Sequence, residues 1–124
     1  MTSFRRRLLA ASEANQSLLC IGLDPDPKNM PIQDILEFNK TIVYSTYDQV
    51  CAYKPNLGFY EPFGSNGIIA LEETVSYIRK KAPHVVIVGD GKRGDIGSTN
   101  TRYATALFDT WEFDAATVNC LSLI

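Results

Sequence analysis

The sequence predicts an α/β protein built on a parallel β-sheet. Four short apolar runs alternate with segments of helical periodicity, which is the pattern that successive β-α-β units produce. The runs are almost continuously apolar, as expected for strands that helices cover on both faces. The 124 residues, 45% of them hydrophobic, suit one domain of ordinary size, so residues 1–124 are expected to form a single domain.

The first half of the chain predicts a leading helix and one β-α-β unit. The helix spans residues 3–17 and precedes the first predicted strand, Leu18–Leu23. Residues 32 to about 47 place their apolar side chains at spacings near three and four, which is one face of a helix. The second predicted strand, Val50–Tyr53, follows directly.

The second half repeats this pattern. A helix is predicted between Gly67 and Pro83, where Lys80-Lys81 suits the negative end of the helix dipole. The third strand is predicted at Val85–Gly89, and residues 103–111 form the next helical connection. The fourth predicted strand is Ala115–Leu121.

Composition and charge disfavour two classes of partner. Lys and Arg number 12 against 14 Asp and Glu, a net charge of -2, which gives no basic footprint for nucleic acid. No apolar stretch reaches the roughly 18 residues of a membrane span, and the first residues lack the features of a signal peptide. A cytoplasmic protein without nucleic-acid or membrane partners is therefore expected.

Charged residues follow the first three predicted strands. Asp24 follows the first strand, Lys54 the second, and Asp90 and Lys92 the third, with Asp95 just beyond. The C-terminal ends of parallel strands converge at one edge of the sheet, where α/β proteins bind ligands. Residues two apart on a strand share a face, so Asp90 and Lys92 are expected to project together.

Each of these residues also has a purely structural interpretation. Asp24 could cap the turn that follows it, Lys54 could reach solvent from an extended backbone before proline, and Asp90 with Lys92 could be a structural ion pair. Three separate strands ending in charge favour a shared site over independent coincidences.

The residue types limit the chemistry of such a site. The sequence has no Ser-His or Cys-His pair for a nucleophile, no phosphate-binding or dinucleotide-binding glycine loop, and no His/Cys cluster for a transition metal. Proton transfer and electrostatics remain. A lysine between aspartates stays protonated and is a well-placed acid, so neither a cofactor nor a metal is predicted.

With these residues the chain resembles the orotidine 5'-monophosphate decarboxylases, particularly the bacterial subgroup with longer chains. The resembling stretches lie on all four predicted strands, at residues 19–27, 50–56, 92–97 and 117–119. The resemblance implies a TIM-like (β/α)8 barrel, a homodimer, and a cofactor-free decarboxylation of orotidine 5'-monophosphate to uridine 5'-monophosphate. The chain would supply the first four βα units of that barrel.

The resemblance also implies roles for individual residues. Asp24 and Lys54 would hold ribose hydroxyls, with Lys54 also bridging to the carboxylates. Asp90 would lie against the substrate carboxylate, and Lys92 would stabilise and protonate the carbanion at C6.

Four further residues complete the implied site. Asp95, with Ile96 and Thr99 near it, would reach into the active site of the partner subunit. Asn119, at the end of the last resembling stretch, is expected to contact the substrate.

After Asn119 the chain departs from the family pattern. It continues with Cys120 instead of a Pro-Tyr pair and stops at Ile124, which suggests a frameshift, a premature stop or a deliberately shortened chain. Because the phosphate grip of such barrels usually follows strands seven and eight, little or no activity is expected from this half-barrel alone. Its unpaired sheet edges predict dimerisation or aggregation.

Two alternatives stay open. Related phosphosugar lyases and synthases place magnesium near a similar Asp-x-Lys-x-x-Asp motif, although residues 53–56 and 92–96 argue against them. The chain could also be a non-catalytic fragment that keeps its charged residues only by inheritance.

Overall fold

A single parallel sheet organises the chain. The computed structural model describes residues 3–120, within which four strands pair in the order β1-β2-β3-β4. The strands are β1 (Cys20–Leu23), β2 (Ala52–Pro55), β3 (Val86–Arg93) and β4 (Ala115–Val118). Each neighbouring pair is parallel, so the predicted α/β architecture is confirmed.

Helices precede or connect these strands. They are α1 (Phe4–Asn15), α2 (Ile35–Thr46), α3 (Gly64–Lys81) and α4 (Gly97–Ala104). Ser3 caps α1 by accepting a hydrogen bond from the Arg6 N–H, and Asp34 caps α2 by accepting one from the Glu37 N–H. Such caps satisfy backbone donors that a helix start leaves unpaired.

Several predicted boundaries are wrong. The helix predicted from residue 32 begins at Ile35, because Asp34 is its cap. The strand predicted to end at Gly89 continues to Arg93. The third connection begins at Gly97 and changes after α4 into a π-helix over Thr105–Thr110. Leu121, the predicted end of the fourth strand, lies outside the described residues.

The main hydrophobic core lies between one face of the sheet and the helices α2 and α3. It includes the buried side chains of Leu23, Tyr53 and Ile87 from the sheet and Val43 and Leu71 from the helices. The parallel strands are therefore held in place by helices that return along the outer face of the sheet.

A smaller core lies on the opposite face, beneath α1. Ala11 of α1 packs there with Cys51, Ala52 and Val86. The prediction that all four strands are covered on both faces is wrong for the edge strands, because this contact reaches only the middle of the sheet. In the edge strand β4, Val118 is 62% exposed.

One buried carboxylate joins α1 and α3 to the sheet. The side chain of Asp114, 3% exposed, forms ion pairs with Arg7 and Arg79. Oδ2 of Asp114, the oxygen that pairs with Arg79, also accepts a hydrogen bond of 2.8 Å from the Ile87 N–H. Asp114 thus connects two helices to the start of β4 and to β3.

No helix within residues 3–120 is long and apolar enough to cross a membrane.

Candidate active site

Polar side chains project from the C-terminal half of the sheet, on the face that α1 leaves open. Gly22 of β1 pairs with Lys54 of β2, and Asn56, just after β2, bridges to Asp90 of β3. Because paired residues of parallel strands point to the same face, the side chains of Lys54 and Asp90 share this surface. The predicted convergence of the strand ends is thus present for β2 and β3.

An ion pair between Asp90 and Lys92 occupies the centre of this surface. The Lys92 Nζ donates a hydrogen bond of 2.7 Å to Asp90 Oδ1. Asp90 is 8% exposed, whereas the Lys92 side chain is 64% exposed. The pair therefore has a buried acceptor and a solvent-facing donor.

The pKa of Asp90 is lowered from its ordinary value. The largest cause is the hydrogen bond from Lys92, followed by a hydrogen bond of 2.7 Å from the Thr117 hydroxyl to the same oxygen. Burial acts in the opposite direction, and the charges of Lys92 and Lys54 add to the lowering. Asp90 is held as a carboxylate because two donors bind one of its oxygens.

An irregularity in β3 brings the Thr117 hydroxyl into contact with Asp90. Gly89 pairs with Ala116 and Arg93 pairs with Val118, so three residues of β3 lie opposite the single residue Thr117 of β4. This is a β-bulge, which bends the strand and redirects its side chains. At its end Lys92 has a φ of 50°, the left-handed region that residues with a Cβ seldom adopt.

The end of β1 is anchored by a buried polar network. The hydroxyl of Tyr60 donates to the Leu23 carbonyl at 2.8 Å and accepts from Asn39 Nδ2 at 3.0 Å. Asn39 Nδ2 also lies 3.0 Å from Thr74 Oγ1. Burial raises the pKa of Tyr60, so its hydroxyl stays a donor and fixes the residue immediately before Asp24.

Asp24 itself is exposed and its side chain returns over β1. A Cβ on Gly22 would lie 3.6 Å from Asp24 Oδ1, and Gly22 is the residue that pairs with Lys54. The Asp24 carboxylate is therefore at the same edge of the sheet as Lys54. Glycine at position 22 leaves room beneath that carboxylate.

Asp95 is held within its own loop and is not hydrogen-bonded to Lys92 in the described part of the chain. Its Oδ1 accepts the Ile96 N–H at 2.7 Å. The Asn100 side chain accepts the Asp95 N–H at 2.8 Å and donates to the Asp95 carbonyl at 2.6 Å.

The remaining predicted site residues follow β3 and β4 along the chain. Ile96 is 64% exposed immediately before α4, and Thr99 is half-buried in the first turn of that helix. Asn119 is exposed after β4, where its N–H donates to the Arg93 carbonyl at 2.8 Å.

Thr117 and Asn56 were not predicted as site residues. Both lie in stretches that carry the family resemblance, but nothing in the sequence indicates which of their neighbours they face. Only the register of the bulged strand places Thr117 against Asp90 and Lys92.

The arrangement suits the stabilisation of negative charge on a ligand. An ammonium has three N–H donors, and Asp90 accepts one from Lys92. The exposed side of Lys92 can donate to a ligand on the open face.

A family profile described as orotidine 5'-phosphate decarboxylase / HUMPS matches residues 17–122. The orotidine 5'-phosphate decarboxylase of Thermomicrobium roseum is 48% identical over 123 residues, covering 94% of this chain and 43% of the relative. That of Herpetosiphon aurantiacus is 46% identical over 122 residues, covering 94% of this chain and 45% of the relative. The chain thus spans less than half the length of these curated relatives.

Solved structures show the same partial correspondence. A Toxoplasma gondii structure superposes with a TM-score of 0.87 at 40% identity, covering 94% of this chain and 40% of the other. The Leishmania donovani OMP decarboxylase superposes with a TM-score of 0.80 at 32% identity, covering 94% of this chain and 44% of the other. The four parallel strands and the helices between them match part of a larger barrel.

Proposed function

Because the chain belongs to the orotidine 5'-phosphate decarboxylase / HUMPS family, we propose that its site carries out the decarboxylation of orotidine 5'-monophosphate to uridine 5'-monophosphate. The observation that carries the proposal is the 2.7 Å contact between Lys92 Nζ and the buried Asp90 carboxylate. It holds an exposed ammonium where negative charge can be stabilised without a cofactor.

In the proposed reaction the bond between C6 and the carboxylate breaks and carbon dioxide leaves. The electron pair stays on C6, where the Lys92 ammonium stabilises it and then donates a proton. Water returns a proton to the amine afterwards. Asp90 lies against the departing carboxylate and orients Lys92 Nζ through their 2.7 Å hydrogen bond.

We assign the ribose to residues of β1 and β2. Asp24 and Lys54 lie at the same sheet edge, so one ribose could reach both, with Lys54 extending toward Asp90. Asn119 contributes to the same nucleotide site from the end of β4.

We further propose that the protein is a homodimer in the cytoplasm. Its ligand is this small nucleotide, and it binds neither nucleic acid nor membranes. In that dimer Asp95, together with Ile96 and Thr99, completes the active site of the partner subunit. The proposal is supported by the position of Asp95 and the exposed Ile96 immediately before α4, with Thr99 in the first turn of that helix. Asp95 makes no hydrogen bond to Lys92 of its own chain within the described residues.

A chimera tests the proposed reaction. Residues 3–119 of this chain would replace the matching segment of the Thermomicrobium roseum relative, and the release of carbon dioxide from carboxyl-labelled orotidine 5'-monophosphate would be measured. We expect turnover in the chimera and a loss of at least about a hundredfold in kcat for Lys92→Ala, because a preorganised charge is removed. Lys80→Ala, on the exposed surface of α3, is the matched control.

Two results would contradict this proposal. Equal turnover by the Lys92→Ala chimera would show that the ammonium is not used. A requirement for added magnesium, abolished by a chelator, would instead favour a phosphosugar lyase or synthase.

The same chimera tests the shared site. Lys92→Ala and Asp95→Ala subunits, each inactive alone, would be mixed and allowed to exchange. Random pairing restores about a quarter of the sites if Asp95 acts across a twofold interface. No recovery, with exchange demonstrated by mass spectrometry, would mean that Asp95 acts within its own subunit.

The 124-residue chain alone is expected to have little activity, because Lys92 is largely open to water and the residues described do not include an identified phosphate grip. Binding energy from a remote phosphate normally helps to lower the barrier at the reacting carbon. Steady conversion by the purified chain at the rate of the chimera would overturn this expectation.

A further inference from the structure

Thr117 of β4 lies opposite the β-bulge of β3. Between the pairs Gly89–Ala116 and Arg93–Val118, β4 contains only Thr117, while β3 contains three residues. A bulge of this kind leaves backbone groups of the longer strand without their regular ladder partners. The side chain at position 117 is the one that β4 presents to that gap.

The Thr117 hydroxyl acts there both as a hydrogen-bond donor and as an acceptor. It donates to Asp90 Oδ1 at 2.7 Å and accepts the Lys92 N–H at 3.1 Å. Asp90 Oδ1 also accepts the Lys92 Nζ at 2.7 Å. One hydroxyl is therefore bonded to the carboxylate of the ion pair and to the backbone of its lysine.

The backbone of Lys92 needs this support. Its φ of 50° lies in the left-handed region, which is unfavourable for a residue with a Cβ unless the surroundings hold it. The bond from the Lys92 N–H to Thr117 is one contact that holds this conformation.

We propose that Thr117 is a positioning residue that orients Asp90 and Lys92 together through its hydroxyl, without itself touching the substrate. Rotation of the Asp90 or the Lys92 side chain would break a hydrogen bond to Asp90 Oδ1. The catalytic consequence rests on the proposed function, whereas the positioning itself can be measured without any reaction.

The substitution Thr117→Val isolates the hydroxyl, because valine keeps the branched shape and removes both hydrogen bonds. Thr117→Ser restores the hydroxyl. Thr110→Val is the matched control, since Thr110 is exposed at the end of the π-helix.

The first measurement uses the 124-residue chain and carboxyl-carbon NMR. We expect Thr117→Val to raise the Asp90 pKa by about half a unit or more toward its ordinary value, because a bond to the charged form is lost. The Lys92 amide should exchange with solvent at least about tenfold faster. Thr117→Ser should resemble the wild type, and Thr110→Val should change neither quantity.

An unchanged Asp90 pKa and unchanged Lys92 amide exchange in a folded Thr117→Val protein would overturn the proposal. If Thr117→Val does not fold, Thr117→Ala gives the same two readings without the branched side chain, and the same outcome there would overturn it.

The second measurement places the variants in the chimera. Thr117→Val should lower kcat about tenfold or more with a smaller change in KM, and Thr117→Ser should recover most of it. Shifted NMR readings in an inactive chimera would reject the decarboxylase function and keep the positioning role. An active chimera with unshifted NMR readings would keep the decarboxylase function and reject the positioning role of Thr117.

Discussion

Asp90 is the residue on which the polar surface depends. It is nearly buried, yet its carboxylate accepts hydrogen bonds from Lys92 and Thr117 at 2.7 Å. A buried carboxylate is costly unless donors satisfy it. The same bonds that keep the site charged therefore also contribute to the stability of the fold.

This predicts a specific pH dependence of stability. The folded-state pKa of Asp90 is lowered, so its contribution is present above the unfolded pKa of about 4 and is lost as pH falls through the folded pKa. Asp90→Asn should remove this contribution. The difference in unfolding free energy between wild type and Asp90→Asn, from urea denaturation, should be larger at pH 7 than at pH 2.5.

Asp109→Asn, an exposed change on the π-helix, serves as the control and should show no such trend. The prediction would be contradicted if Asp90→Asn changed the free energy of unfolding by the same amount at both pH values.

At this scale the sequence predicted part of the site. Alternation along a strand correctly predicted that Asp90 and Lys92 lie together, although the bulge and the left-handed backbone bring them into contact. Thr117 could not be predicted, because its partners depend on a register shift that has no local sequence pattern.

At the scale of elements, one carboxylate joins α1 to the rest of the fold, in addition to the packing of Ala11. Asp114, at the start of β4, bonds to Arg7 of α1, to Arg79 of α3 and to the backbone of Ile87 in β3. Four elements are therefore joined at a point that is almost inaccessible to water.

Asp114→Asn should destabilise the fold by about 3 kcal/mol, because it leaves two arginines beside a neutral group. The free energy of unfolding by urea is the measurement, and Asp109→Asn should change it little. A loss of less than about 0.5 kcal/mol for Asp114→Asn would show that the arginines find other partners.

The elements themselves were predictable to within a few residues, because apolar periodicity marks the buried faces of α2 and α3. The ends of the helices depended on single capping residues and on local backbone geometry. Asp34 was an unrecognised cap, and the change from α4 to a π-helix has no periodicity of its own.

At the scale of the molecule, the sheet has two edges within residues 3–120. β1 and β4 each pair with one neighbour, and Val118 on β4 is 62% exposed. Unpaired strand edges beside apolar side chains are sites at which chains associate. The family resemblance predicted the partial barrel, whereas the strand register came only from the structure.

Sedimentation velocity should show that the 124-residue chain associates as its concentration rises. Val118→Lys should weaken this association, because a charge on an edge strand opposes pairing. Leu9→Lys, on the exposed side of α1, is the control for added charge. A wild-type chain that stays monomeric across the concentration range would contradict the prediction.

The left-handed backbone of Lys92 keeps an unfavourable conformation at the residue that carries the exposed ammonium of the site. Glycine would adopt this φ without strain, but it would remove the ammonium. At residue 92, relief of backbone strain is therefore incompatible with retention of the ammonium proposed to react. Lys92→Gly would also remove the donor to the buried carboxylate of Asp90.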